Sequence, residues 1–156
     1  MPAKRLKEYL DSFDVKYVTI THSHACTAQE IAESAHVSGK ELAKTVMVKI
    51  DGEMAMAILP ATYRVDFELL KEAAGASKVE LAAEKEFQDI FPECEVGAMP
   101  PFGNLYGMDT YVAEKLAEDE EIAFNAGTLT ELFKLSYKDF EKLATPKVVK
   151  FSDERS

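Results

Sequence analysis

Only two cysteines, Cys26 and Cys94, occur in the 156 residues of this chain. Two thiols make no disulfide framework for a chain of this length, so a reducing compartment, the cytoplasm, is expected. Long apolar runs are missing too. Each hydrophobic stretch is too short and too interrupted to span a bilayer, so no membrane partner is expected. The N-terminal segment carries Lys4, Arg5, Lys7 and Glu8 and lacks the apolar centre of a signal peptide. Basic charge is scarce. Eighteen Lys and Arg face 28 Asp and Glu, a net charge of −10. Nonspecific nucleic-acid binding rests on neutralised phosphates, so DNA is not an expected partner. A local basic patch that meets one end of a nucleic acid stays open. Phosphate-loop, dinucleotide-fold, zinc-ribbon and G-x-S-x-G motifs are all absent. So are internal repeats, low-complexity stretches and linkers.

What is there is the composition of a globular protein, 47% hydrophobic and 29% charged. One domain over residues 1–156 is expected, with a core of its own. Leu6, Tyr9, Leu10 and Phe13 have helical spacing, which predicts a helix from Ala3 to Phe13. Val15 to Ile20 alternates as a strand. Thr27 opens T-A-Q-E, a capping box for a helix to about Ala35. A short helical turn is expected at Glu41 to Lys44. Asp51-Gly52 between two apolar runs predicts a hairpin of Thr45–Ile50 and Glu53–Leu59, ended by Pro60. Asp66 and Gly75 bracket a helix from Phe67 to Ala74. A short helix is expected over Ala83–Phe91, and irregular chain over Val96–Gly107. Thr110–Val112, Glu121–Phe124 and Glu131–Leu135 read as strands, and Glu114–Glu121 holds a solvated turn and helix. Asn125-Ala126-Gly127 reads as a turn. Ser136 caps a helix from Tyr137 to Leu143, and Val148–Phe151 is a candidate closing strand. The whole is an α+β domain around a mixed, mostly antiparallel sheet.

Three features can carry chemistry. His22, His24 and Cys26 alternate, so two imidazoles and a thiol share one strand face, with His36 or Cys94 as a fourth metal ligand. The plainer reading, polar residues at a strand end, is preferred, and no metal is expected. Lys44-Thr45 opens an apolar strand, where an ammonium can meet a phosphate or a developing oxyanion; a solvent-facing lysine is the alternative. The third is Gly97-Ala98-Met99-Pro100-Pro101-Phe102-Gly103. Its glycines let main chain approach a ligand and its prolines fix the loop's shape, although a tight structural turn reads equally well.

Four stretches in order carry a resemblance over nearly the whole chain: T-A-Q-E-I-A-E at Thr27–Glu33, E-L-A-K-T-V-M-V-K at Glu41–Lys49, G-A-M-P-P-F-G at Gly97–Gly103, and F-N-A-G-T at Phe124–Thr128. The chain resembles the YbaK and prolyl-tRNA-synthetase-associated editing domains. Their signature, a lysine followed by threonine and then a G-x-x-x-P loop, falls on Lys44-Thr45 and on Gly97 with Pro101. The resemblance implies a mixed, partly barrel-like sheet wrapped by helices. It implies hydrolysis of mischarged aminoacyl-tRNA by a free-standing, cofactor-free enzyme. The partner is the tRNA acceptor end, with a synthetase as a second partner left open.

On this resemblance the catalytic groups are Lys44, near the terminal adenosine, and the N–H groups around Gly97, at the ester carbonyl. Thr45, Met47, Met99, Pro101, Phe102, Gly103, Asn125, Gly127, Thr128 and Leu129 are the expected substrate-binding residues. Met47, Met99 and Leu129 are candidate walls of the amino-acid pocket, with core filler as the alternative for the methionines. Lys40, Lys44, Lys49 and Arg64 are expected to form a local positive rim. Two departures stand out: Leu129 where many relatives have histidine, and Cys26 where many have an aromatic residue. With the acidic charge, Leu129 supports a competing reading: a protein of this fold that binds a small amino-acid-like ligand without turnover.

Overall fold

The computed structural model describes residues 4–21, 30, 41–91, 94–95 and 98–154. Thr27–Glu33, with its capping box, lies largely outside them. So do His22, His24, Cys26, His36, Lys40 and Gly97.

The first helix, α1 (Lys4–Ser12), buries Leu6 and Leu10 completely. Its Tyr9 hydroxyl donates to the Leu143 carbonyl at 2.9 Å, fastening the N-terminus to the far end of the chain. The strand β1 (Tyr17–Thr21) follows. Next come β2 (Ala43–Ile50) and β3 (Glu53–Pro60), paired antiparallel from Ile50↔Glu53 to Ala43↔Pro60. Asp51 and Gly52 both take positive φ, 51° and 85°, as a two-residue turn matched to strand twist requires. The Asp51 carboxylate accepts the N–H groups of Ser77 and Lys78, each at 2.9 Å, so the hairpin tip is tied to the chain entering β5 (Val79–Leu81). The expected helical turn at Glu41–Lys44 does not form. Ala43 and Lys44 are already strand, because pairing with Pro60 and Leu59 outweighs the helix preference of Glu-Leu-Ala-Lys.

Between these strands lie β4 (Tyr63–Val65) and α2 (Phe67–Ala74). Asp66 caps α2 by accepting from the N–H groups of Glu68 and Leu69, and Gly75 closes it at φ 64°. A single turn, α3 (Glu84–Phe87), passes into a 3₁₀ turn at Gln88–Ile90. Gly103–Tyr106 forms another 3₁₀ turn inside the stretch expected to be irregular. The chain then builds β6 (Asp109–Ala113), α4 (Glu114–Ala117), β7 (Glu121–Asn125), β8 (Glu131–Ser136) and α5 (Tyr137–Ala144). The expected closing strand is split. Lys147–Val149 (β9) runs parallel to β6, and Ser152–Glu154 (β10) pairs with β4.

Among the described residues the strands form a five-stranded sheet of order β5-β2-β3-β6-β9, a three-stranded sheet β1-β8-β7 and the pair β10-β4. Only β3–β6 and β6–β9 are parallel, so the sheet is mixed and mostly antiparallel as expected. A parallel bridge from Leu42 to Ala123 links the two larger sheets. The five-stranded sheet is covered on both faces. Met47, Met56 and Ile58 enter the main core with Phe102, Phe124, Phe133 and Phe140. Val48, Ala55, Ala57 and Leu59 enter a second core with Leu70 and Phe151. Such double burial is why β3 reads as an almost unbroken apolar run. No helix among the described residues is long and apolar enough to cross a membrane.

Candidate active site

Lys44 and Thr45 are neighbours on β2, so their side chains leave on opposite faces. Thr45 shares its face with Ala43 and Met47, which belong to the same buried cluster as Met99 and Ala126. Lys44 takes the face of Leu42 and Val46 and is half-buried. Leu42 forms the bridge to Ala123, whose N–H donates to the Glu41 carbonyl at 3.0 Å. Both chains run on in the same direction. Lys44 and Asn125 therefore each stand two residues past the bridge, on its face.

At Asn125 the strand β7 gives way to the turn that carries Gly127 and Thr128. Gly127 has φ 95°, a conformation that costs a side-chain-bearing residue but not glycine. This turn is clasped to the segment around Gly97. The Glu95 N–H donates to the Gly127 carbonyl at 2.8 Å, and the Gly127 N–H donates to the Ala98 carbonyl at 2.9 Å. The Glu95 carboxylate adds a third link, accepting the Leu129 N–H at 2.6 Å. Thr128 is buried, and its hydroxyl donates to Glu131 at 3.5 Å. Leu129 is 40% exposed, at the rim. Sequence reasoning missed Glu95 because an exposed acid in a polar loop carries no signal of what it holds.

Beyond the clasp, Ala98 through Gly103 are all buried. Phe102 anchors the loop. Its ring is fully buried and meets the rings of Phe140, Phe124 and Tyr9 edge-on, at 5.4, 5.7 and 6.3 Å. Gly103 is tightly packed. Its N–H is spent on the Thr110 hydroxyl at 3.0 Å, and a β-carbon there would lie 2.5 Å from that oxygen and 2.8 Å from the Met108 carbonyl. Both residues fix the loop from below. Met47 and Met99 are 3% and 5% exposed, within the main core.

The expected basic rim does not assemble from the described residues. Lys49 lies on the strand face opposite to Lys44 and is ion-paired with Glu86 at 2.7 Å and Glu80 at 3.4 Å. Hydrogen bonds to those carboxylates raise its pKa, and the same contact with Lys49 leads in lowering that of Glu86. Arg64 sits on β4, in register with Asp153. No group of three His, Cys, Asp or Glu among the described residues could hold a metal. The Cys94 sulfur lies 3.9 Å from the Tyr106 hydroxyl. A cavity of about 460 Å³ opens elsewhere, between Ile50, Glu53, Met54, Tyr106, Met108 and Asp109. Ile50 is roughly 20 Å along β2 from Lys44 at about 3.3 Å per residue, so this hollow is not part of the site.

Three main-chain segments thus lie near one another: the start of β2, the chain from Ala98 to Gly103, and the turn after β7. The same three overlap three of the four resembling stretches, and the model of the aminoacyl-tRNA editing domain matches residues 22–143. The chain belongs to the aminoacyl-tRNA editing domain family. Membership makes it an aminoacyl-tRNA deacylase, a hydrolase of the ester between amino acid and tRNA. It is 28% identical over 154 residues to the multifunctional Ser/Thr-tRNA deacylase ProXp-y of Escherichia coli K12, covering 95% of this chain and 91% of that protein. A proline–tRNA ligase of Halalkalibacterium halodurans is 30% identical over 95 residues, 61% of this chain and 15% of the ligase. The fold matches a solved candidate trans-editing enzyme for prolyl-tRNA synthetase with TM-score 0.83 at 19% identity, covering 97% and 96% of the two chains.

Proposed function

We propose that this editing domain acts in trans, as a cytoplasmic enzyme, on tRNA mischarged with a small amino acid. Seryl and threonyl esters are the first candidates, since those amino acids give the Escherichia coli relative its name. The observation that supports the reading most is the paired hydrogen bond between Gly127 and the main chain flanking Gly97. It keeps two of the resembling stretches side by side, while the Leu42–Ala123 bridge brings in the start of β2.

In this mechanism main-chain N–H groups around Gly97 receive the ester carbonyl and the charge that develops on it. Lys44, from the rim of β2, neutralises the terminal adenosine phosphate or the carbonyl end. A free hydroxyl of the terminal ribose orients the attacking water, so substrate supplies part of the machinery and no metal is needed. Asn125, Gly127, Thr128 and Pro101 frame the ester; Thr45 and Leu129 border the amino-acid side. With 28 acidic residues against 18 basic ones, contact is confined to the acceptor end. A panel of mischarged tRNAs tests the reading. Hydrolysis of at least one ester, reduced about 10²–10³-fold in Lys44→Ala without loss of fold, is expected. Undiminished turnover in that variant would refute the role given to Lys44.

A further inference from the structure

Independently of the deacylase reading, we infer that the hollow at the tip of the β2–β3 hairpin binds a small organic cation, a primary amine carrying a compact apolar body. The hollow encloses about 460 Å³, within the range of small-ligand sites. Its apolar wall is the margin of the main core, where Met54, Ile90, Tyr106 and Met108 are each partly buried. Two thioethers beside a tyrosine ring suit an aromatic or branched body. Its charged wall is acidic. Asp109 pairs in register with Ala55, and Glu53 stands two residues before Ala55 on β3. Both carboxylates therefore leave the same sheet face, from Cα positions roughly 8 Å apart.

The charges nearby decide what fits. Among the described residues no lysine or arginine lines the hollow. Arg5 lies 5.1 Å from the centre of the Tyr106 ring, and Lys147 lies 5.3 Å from that of Tyr111. Those rings already serve the protein's own cations, so a guest's charge falls to the carboxylates. Asp109 is shared with Lys147 at 3.4 Å. Glu53 is exposed and has no ion pair among the described residues. It is the uncommitted partner for an ammonium, and a charge-assisted hydrogen bond to it orients the guest. A free amino acid fits poorly, since its own carboxylate would meet two like charges. A bare divalent ion fits poorly too, because no three His, Cys, Asp or Glu stand together among the described residues.

Phenethylamine titrated into the full chain, beside 2-phenylethanol and phenylalanine, tests this by amide NMR. The amine should bind saturably, with a dissociation constant of about 1 mM or tighter. It should move the amide signals of Glu53, Met54 and Met108, and bind more weakly as salt is raised. The alcohol lacks the charge and the amino acid adds a repelled one, so each should bind at least about tenfold more weakly. Glu53→Gln should weaken the amine about tenfold as well. Asp109→Asn, at a second exposed position, should also weaken it. Glu84→Gln changes an exposed acid outside the hollow and should leave binding unchanged. The inference is overturned if the amine gives no saturable shifts at the hollow, or if the alcohol or phenylalanine matches it. It is equally overturned if neither Glu53→Gln nor Asp109→Asn weakens the amine, or if Glu84→Gln weakens it as much. None of these readouts uses tRNA, so their outcome is separate from that of the deacylation assay.

Discussion

Replacing Gly103 by alanine should be disproportionately costly for the addition of one methyl group. The new carbon would lie 2.5 Å from the Thr110 hydroxyl oxygen, 2.8 Å from the Met108 carbonyl and 3.1 Å from the Met108 Cγ. The first atom belongs to a residue only 5% exposed, and the second is backbone, so neither can swing into solvent. Forcing a methyl group into a packed core costs about 1–3 kcal/mol. The same displacement stretches the bond from the Gly103 N–H to Thr110, now 3.0 Å, and a buried polar group left unpaired costs about 1–3 kcal/mol. Taken together, about 3 kcal/mol is expected, which lowers the melting temperature of a chain this long by roughly 6–12 °C. Thr110→Ala removes the nearer obstacle but leaves the Met108 carbonyl. The double variant should therefore recover part of the loss, a coupling of about 1 kcal/mol in a double-mutant cycle. Melting curves by circular dichroism read all four proteins. A Gly103→Ala chain that melts within about 1 °C of wild type would refute the packing argument.

Truncating the ring beneath the loop, Phe102→Ala, should destabilise by about 3–5 kcal/mol in urea titrations, since the ring is fully buried among Phe124, Phe140 and Tyr9. Asp51→Ala leaves the N–H groups of Ser77 and Lys78 without their shared acceptor and should cost about 1–2 kcal/mol, with Asp51→Asn milder because it keeps an oxygen and tolerates the positive φ. Burial, reinforced by Glu141, pushes the Tyr137 phenol well above its ordinary 10.0. The native state thus holds that proton longer than the unfolded chain does. Its contribution is complete below pH 10 and is lost as pH rises from there toward the folded value. Tyr137→Phe should accordingly flatten the alkaline fall in melting temperature without changing the neutral plateau.

Local chemistry made several elements legible. Asp51-Gly52 demanded its turn, Asp66 and Gly75 bracketed their helix, and the Ser136 hydroxyl accepts the Asp139 N–H as a cap should. The elements that escaped notice are those defined by distant partners. Tyr63–Val65 and Val79–Leu81 are three residues each and are strands only because Ser152–Glu154 and β2 lie alongside. Lys44 was expected at a helical turn, and Leu59 across the hairpin makes it strand. In the site, Lys44-Thr45 and the 97–103 loop were visible as motifs, but the work of individual residues was not. Nothing in G-A-M-P-P-F-G distinguishes a ring that touches a ligand from one that fills the core. Likewise Lys49 looks like any surface lysine until Glu86, 37 residues away, is seen to hold it.

Gly127 and Ala98 are joined through amide and carbonyl, and so are Glu95 and Gly127. Rungs of that kind are indifferent to which side chains hang from them. The scaffold can exchange exposed side chains carried by these segments, such as Leu129, without retuning its own dimensions. One chain geometry can in this way serve enzymes that police different amino acids.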